Sequence, residues 1–124
     1  MKVAVVGSRS IGPECAAMLE EYIPAGCSEV ISGGAAGVDT QARAYAVRRN
    51  IKLTEFLPDY KSFDRMAPII RNSEIVSAAD YVLIFWDGSS KGSMNVIMTC
   101  IKTNKPYQVV LCKQKKNAAS GQEG

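Results

Sequence analysis

The sequence predicts a single α/β domain in which a mainly parallel five-stranded sheet is covered by helices on both faces. Short apolar runs alternate along the chain with segments of helical period, an order typical of a parallel sheet. The chain has 124 residues, of which 47% are apolar and 22% charged, a length near the mode for one globular domain. We therefore expect one compact core over residues 1–112 that needs neither disulfides nor a structural metal.

The first half of the chain predicts three strands with two helices between them. Residues 2–6 form a strand that is apolar on both faces, as a covered parallel strand requires. The first helix begins near Pro13 and ends before Pro24. Residues 29–32 form the second strand, and the mixed polarity of residues 52–57 predicts a third strand at the edge of the sheet. The residues expected to face inward are Cys15, Met18, Leu19, Tyr22 and Ile23 in the first helix and Val38, Ala42, Tyr45 and Ala46 in the second.

The second half of the chain predicts two helices and two strands. A helix of weak period covers about residues 66–78, and residues 81–86 are the most apolar run and thus the best candidate for a central strand. The last strand spans residues 107–111. The polar residues 113–124 lack an apolar period and predict a disordered tail. The helix before the last strand carries an apolar stripe of Met94, Ile97, Met98 and Ile101.

Composition excludes several kinds of chemistry. The absence of histidine excludes a histidine metal site and both Ser-His-Asp and Cys-His catalysis. The cysteines, at positions 15, 27, 100 and 112, have no zinc-ligand or CxxC spacing, so we expect free thiols and neither a metal nor a cofactor. We expect a cytoplasmic protein without a membrane partner, because no apolar run is long enough for a signal peptide or a bilayer span.

The charge distribution disfavours general nucleic-acid binding. Three of the 15 basic residues and one of the 12 acidic residues lie beyond residue 112, so the net charge of +3 falls to +1 in the expected domain. A nearly neutral domain lacks the broad positive surface that drives non-specific binding to phosphate backbones. Nucleic acid is therefore an unfavoured partner.

Three loops at the carboxyl ends of the predicted strands carry the functional signal. Residues 7–10, 32–39 and 88–93 are rich in Gly and Ser and lead directly into helices. Glycine permits close backbone approach, and amides at helix starts attract phosphate. For the strand order 3-2-1-4-5, ligands bind at this edge between strands one and four, where the order reverses. Neither GxGxxG nor GxxxxGK[ST] is present, which argues against an ordinary dinucleotide or NTP site.

These motifs, together with Arg71-Asn72, resemble the SLOG superfamily of Rossmann-like domains, in particular its small stand-alone YspA/YpsA-related group. The resemblance covers about residues 2–111. It implies a Rossmann-like three-layer sandwich that senses or sequesters a phosphate-bearing nucleotide derivative, such as an ADP-ribose-like molecule. It also implies a homo-oligomer paired through helices, for which apolar surface at Tyr22 or Met98 would serve. The expected ligand-binding residues are Gly7, Ser8, Arg9, Gly33, Gly34, Ala35, Asp39, Arg71, Asn72, Asp87, Ser90, Gly92 and Ser93.

Each of these side chains also has a purely structural interpretation. Arg9 and Arg71 would then be solvated surface residues, Asp39 would stabilise a helix start, and the serines near residue 90 would be helix caps. Tyr60 and Trp86 are expected to be packing residues rather than base-stacking residues.

Two related families offer alternative functions. The Lonely Guy phosphoribohydrolases use an Arg in a segment similar to Arg71 and a Glu in a PGGxGTxxE motif. Here Val96 takes the place of that Glu and residues 88–90 replace PGG, so the resemblance leans against an enzyme and leaves the catalytic residues unknown. The DNA-processing A family shares the GSR start and the glycine-rich turn and binds single-stranded DNA. An enzyme acting on nucleotides and a single-stranded DNA-binding protein are therefore the second and third hypotheses.

Overall fold

The computed structural model describes residues 1–8, 11, 18–34 and 37–112, which form a sheet of five parallel strands between two layers of helices. The strand order is β3-β2-β1-β4-β5, and every neighbouring pair is parallel. The predicted α/β Rossmann-like fold and its strand order are confirmed. The strands are β1 (Lys2–Gly7), β2 (Glu29–Ser32), β3 (Lys52–Glu55), β4 (Tyr81–Trp86) and β5 (Tyr107–Leu111). The helices are α1 (Leu19–Tyr22), α2 (Val38–Arg48), α3 (Tyr60–Phe63), α4 (Ala67–Ala78) and α5 (Lys91–Lys102), with a 3₁₀ turn at Asp64–Met66.

The sheet separates two apolar cores because successive side chains of a strand point to opposite faces. In β1, Val3 and Val5 join the core that α1 and α2 cover. Ala4 and Val6 join the opposite core, which α4 and α5 cover. All four residues are buried, so β1 is apolar on both faces, as the sequence predicts.

The described part of the first predicted helix packs inward through Leu19 and Ile23. Tyr22 meets Phe85 edge-to-face, with ring centroids 6.0 Å apart, so its partly buried ring packs against the core that α1 and α2 cover. Met18 is exposed, which corrects the expectation that it faces inward. Residues 12–17, including Cys15, lie outside the described residues.

The chain between β3 and α4 differs from the prediction. β3 ends at Glu55, not at residue 57, although the Phe56 amide still donates to the Ser32 carbonyl at 2.9 Å. Beyond it the chain leaves the sheet. Residues 57–66, which we call the rim segment, contain α3 and the 3₁₀ turn, and neither element has a buried residue. Without a buried face, such a segment has no apolar period from which to predict a helix.

The apolar stripe predicted for α5 is wrong by one position. The residues that α5 buries are Ser93, Val96, Ile97 and Cys100, whereas Met94, Met98 and Ile101 are exposed. Both sets have the same helical spacing, and the structure selects the one that packs against the sheet and meets the end of β1. The period alone does not distinguish two adjacent apolar faces. Pairing through Met98 stays a prediction.

The structure tests in part the predictions of free cysteines and of a chain without a membrane span. Cys27 and Cys100 are free, and burial raises the pKa of both thiols. Cys112 is disulfide-bonded, which corrects the expectation of a free thiol, because disulfide pairing cannot be deduced from cysteine spacing in a single sequence. In the described ranges, no helix has the length and apolarity needed to cross a membrane. The predicted tail, residues 113–124, lies outside those ranges.

Candidate functional site

A cavity of about 680 Å³ lies at the carboxyl edge of the sheet, where the strand order reverses between β1 and β4. Its volume is within the range of small-molecule sites. The loops that follow β1, β2, β3 and β4 all contribute to its wall. Of the expected ligand-binding residues, the structure brings together in this cavity Gly7, Ser8, Gly33, Gly34, Asp39, Arg71, Asn72, Asp87, Ser90, Gly92 and Ser93. The other two, Arg9 and Ala35, lie outside the described residues.

One end of the cavity is held by buried hydroxyls. Ser8 and Ser93 are 3% and 5% exposed, and their Oγ atoms form a hydrogen bond of 3.1 Å. Ser8 Oγ also accepts from the Asp87 amide at 3.3 Å, while the Ser8 amide donates to the Phe85 carbonyl at 3.0 Å. These bonds connect the loop after β1, the loop after β4 and the first turn of α5. We call this the polar end: Gly7, Ser8, Asp87, Ser90, Gly92 and Ser93.

The loop that precedes α5 is folded by its own side chains. Asp87 Oδ1 accepts from the amides of Ser89 at 2.9 Å and Ser90 at 2.8 Å. Ser90 is the N-cap of α5, and its Oγ accepts from the Ser93 amide at 3.4 Å. Trp86 Nε1 donates to the Ser90 carbonyl at 3.0 Å. The structural interpretation of Ser90 as a cap is therefore correct, and the same loop aims the amino end of α5 at the cavity, where a helix favours negative charge.

Arg71 lies over the loop that follows β2, half-buried rather than on an open helix surface. Its Nη1 donates to the Gly33 carbonyl at 3.3 Å and its Nε to Asn72 Oδ1 at 3.0 Å. Asn72 Nδ2 in turn donates to Asn95 Oδ1 at 3.2 Å. A Cβ on Gly33 would lie 2.7 Å from Arg71 Nη1 and 3.4 Å from Asp39 Oδ2. Glycine at position 33 thus leaves room for the guanidinium group.

The sequence does not single out Asn95, which orients Asn72 from α5. The only sequence feature of Asn95 is that it is a polar residue one turn after Lys91, and such residues are usually exposed to solvent on a helix. The contact depends on the packing of α4 against α5, which a single sequence does not reveal.

The acidic residues of the cavity wall are Asp39 and Asp87, among the residues that the structure describes. Asp39 lies in the first turn of α2 and is buried, a position that suits both helix stabilisation and a ligand contact. Val96 is a buried part of the same wall. That part of the wall is therefore apolar. Within the described ranges, no group of three or more His, Cys, Asp and Glu side chains is arranged to hold a metal ion.

The opposite end of the cavity is apolar and was missed by the sequence interpretation. We call it the apolar end: Leu57, Pro58, Tyr60 and Pro68. Leu57 is 65% and Tyr60 57% exposed, so the expectation that Tyr60 is a packing residue is wrong. Trp86 is indeed packed, against the core that α4 and α5 cover. The sequence signal that could have identified this end is the location of Leu57 and Pro58, which follow β3 at the ligand-binding edge of the sheet.

Comparison with known proteins finds a partial match to a protein family. Residues 1–57 match the family described as DNA recombination-mediator protein A, a match that covers less than half of the 124-residue chain. It includes β1 to β3 and the loops containing Gly7 and Gly33, but not Arg71 or the loop before α5. No curated protein matches the sequence. The comparison supports a distant relationship to the SLOG group, and the narrower YspA/YpsA resemblance stays a prediction.

Proposed function

We propose that the protein binds a phosphate-bearing nucleotide derivative, such as an ADP-ribose-like molecule, in the cavity at the carboxyl edge of the sheet. Sensing or sequestering such a ligand is the corresponding function. The observation that carries the proposal is the convergence of three Gly- and Ser-containing loops and Arg71 on one cavity of about 680 Å³. Each loop alone is an ordinary strand-to-helix connection, but together they form one concave wall with a few polar groups, as ligand sites have.

The polar end suits a phosphate group. Hydroxyls of Ser8 and Ser93 lie in the wall beside the amino end of α5, a helix of 12 residues. A Cβ on Gly92 would meet no atom closer than Ser90 Oγ at 4.0 Å, so the backbone there is open to close approach by a ligand. Arg71 supplies the only cationic side chain of the wall within the described ranges. Charge-assisted hydrogen bonds to such groups are the strongest polar contacts available to an anion.

Calorimetry with AMP, ADP-ribose and adenosine tests the phosphate role. We expect AMP and ADP-ribose to bind more tightly than adenosine. Gly92→Ala adds a methyl group to the open backbone of α5, which would keep a phosphate away from the amides at the start of that helix. It should weaken both phosphorylated ligands about 10- to 100-fold, the loss of one hydrogen bond to a charged group. Gly26→Ala is the matched control, because its Cβ would meet no atom within 4 Å and Gly26 is not part of the cavity wall. Equal affinity for adenosine and AMP would refute the proposal.

Binding without rapid turnover is part of the same proposal. It is supported by Val96, an apolar residue of the cavity wall where phosphoribohydrolases place a carboxylate. Loss of a positioned acid or base typically lowers a rate by about 100- to 10,000-fold. Chromatography of AMP and ADP-ribose incubated with the protein should show little release of base. Rapid release that disappears in Asp39→Asn or Asp87→Asn would instead establish the enzyme alternative.

Single-stranded DNA binding is a further candidate, favoured by the match of residues 1–57 to DNA recombination-mediator protein A. The net charge of +1 over residues 1–112 disfavours it. Fluorescence anisotropy with a labelled single-stranded oligothymidylate distinguishes the two functions. Tight binding with a steep salt dependence that excess ADP-ribose does not displace would favour DNA over the nucleotide derivative.

A further inference from the structure

The two ends of the cavity lie far apart along the sheet edge. The apolar end follows β3 and the polar end follows β1 and β4, with β2 between them. Two strand spacings separate β3 from β1 and three separate it from β4, distances of roughly 10 and 14 Å. A phosphate ion or a pentose phosphate held at the polar end would leave the apolar end empty. A ligand that occupies both ends must carry an apolar group well separated from its phosphate.

The apolar end is an open surface rather than part of either core. Leu57 and Tyr60 are both exposed, and neither belongs to the two core clusters. Leu57 nevertheless lies directly on the glycine-rich loop, because a Cβ on Gly34 would be 2.6 Å from Leu57 Cδ2. The apolar surface is therefore continuous with the loop after β2 and with the rest of the wall.

Tyr60 is held in place through the backbone of α3. Asp59 is the N-cap, and its Oδ1 accepts from the Ser62 amide at 3.1 Å. Pro58 restricts the chain immediately before it. Tyr60, the first residue of α3, thus has a fixed backbone position at the cavity while much of its ring surface is available.

We propose that Tyr60 determines specificity by stacking on a flat aromatic base, so that the site takes nucleotides in preference to sugar phosphates. Leu57 and Pro58 border the base, and the phosphate occupies the polar end. This inference rests on the proposed function and names its ligand class. Stacking of a base on an aromatic side chain changes affinity by about 5- to 100-fold and tolerates different bases.

The test measures the affinities of AMP, UMP and ribose 5-phosphate by calorimetry for the full chain and for Tyr60 variants. The unmodified chain should bind both nucleotides more tightly than ribose 5-phosphate. Tyr60→Ala should weaken AMP and UMP about 5- to 100-fold and leave ribose 5-phosphate unchanged, whereas Tyr60→Phe should keep the nucleotide affinity. Phe63→Ala is the control, because Phe63 is an exposed aromatic residue of α3 outside the cavity wall.

The outcomes separate this inference from the function on which it rests. Ribose 5-phosphate binding as tightly as AMP, or an equal loss of all three ligands in Tyr60→Ala, would overturn the stacking role and leave phosphate binding intact. Failure of every phosphorylated compound to bind the unmodified chain would overturn both proposals. Tyr60→Leu preserves apolar volume without an aromatic face, so it decides the question if Tyr60→Ala lowers the melting temperature.

Discussion

The polar and apolar ends of the cavity differ in how they are built into the protein. At the polar end, Ser8 and Ser93 are buried and bonded to each other between two loops. At the apolar end, Leu57 and Tyr60 are exposed on a rim segment whose helices bury nothing. The groups proposed to hold phosphate therefore also stabilise the folded protein, whereas those proposed to hold the base contribute little to its stability. Substitutions should affect stability and binding together at the first end and separately at the second.

Strand position explains the difference. β1 and β4 are central neighbours whose pairing continues to their carboxyl ends, where Gly7 lies opposite Phe85. β3 is the edge strand, and the chain leaves it for the surface after Phe56. A loop that follows a central strand is flanked by the loops of neighbouring strands on both sides, so its residues are more readily buried. A loop that follows an edge strand has a neighbour on one side only.

Among the residues of the cavity wall, the largest effect on stability is expected for Gly7→Ala, at the polar end. The added Cβ would lie 2.6 Å from Val38 Cγ2 and 2.8 Å from Val38 Cβ. Val38 Cβ is attached to the backbone at the start of α2, so the clash is relieved only by moving that helix. Overpacking of this kind costs about 3 kcal/mol. Urea denaturation measures the free energy of unfolding, with Gly26→Ala as a control that should change it by less than about 0.5 kcal/mol. An unchanged value for Gly7→Ala would show that α2 does not restrict the polar end.

The next effect concerns the pair of buried hydroxyls. Ser8→Ala removes the partner of both Ser93 Oγ and the Asp87 amide, and we expect a loss of about 2 kcal/mol. Ser93→Ala leaves the Asp87 bond intact and should cost about 1 kcal/mol. Because the two hydroxyls bond to each other, the double variant should lose less than the sum of the single losses. Strict additivity in urea denaturation would argue that this bond contributes nothing to the link between the loops.

The central part of this architecture was predictable from local signals. Residues 81–86 form β4 as predicted, because a continuous apolar run is what a strand buried on both faces needs. The polar end was predictable because the carboxyl ends of parallel strands meet at one edge, whichever residues follow them. That rule predicts that the loops containing Ser8 and Ser93 lie at the same edge, although the two residues are 85 positions apart in the sequence.

The apolar end was not predictable by the same means. α3 has no buried face, so the sequence shows no apolar helical period there. Without that signal, the sequence predicts only that Tyr60 is a packing residue. The capping pair Asp59 and Ser62 was a readable helix start, but it does not reveal that the helix borders a cavity. The prediction of the buried face of α5 was wrong for a different reason, since two adjacent stripes of the helix have the same period.

A smaller effect on stability, with a large effect on binding, is expected for Gly33→Ala between the two ends. The added Cβ would displace Arg71 Nη1, which would be only 2.7 Å away. Because that atom is the far end of a flexible side chain, the free energy of unfolding should fall by less than about 1 kcal/mol, the net value of one hydrogen bond. AMP affinity should fall about 10-fold or more, because the displaced guanidinium group is the one proposed to contact the phosphate. Arg71→Ala is the reference, and normal AMP affinity in both variants would remove Arg71 from the proposed site.

The smallest effect on stability is expected in the rim segment, where Phe63→Ala should change the free energy of unfolding by less than about 0.5 kcal/mol. Phe63 is exposed on a helix with no buried residue, and surface substitutions of this kind are nearly neutral. Phe85→Ala supplies the contrast within one residue type, because Phe85 is fully buried and its ring contacts Tyr22. It should cost about 3 to 5 kcal/mol. A comparable loss for Phe63→Ala would show that the rim segment contributes to the stability of the fold, and the contrast between the two ends of the cavity would then be wrong.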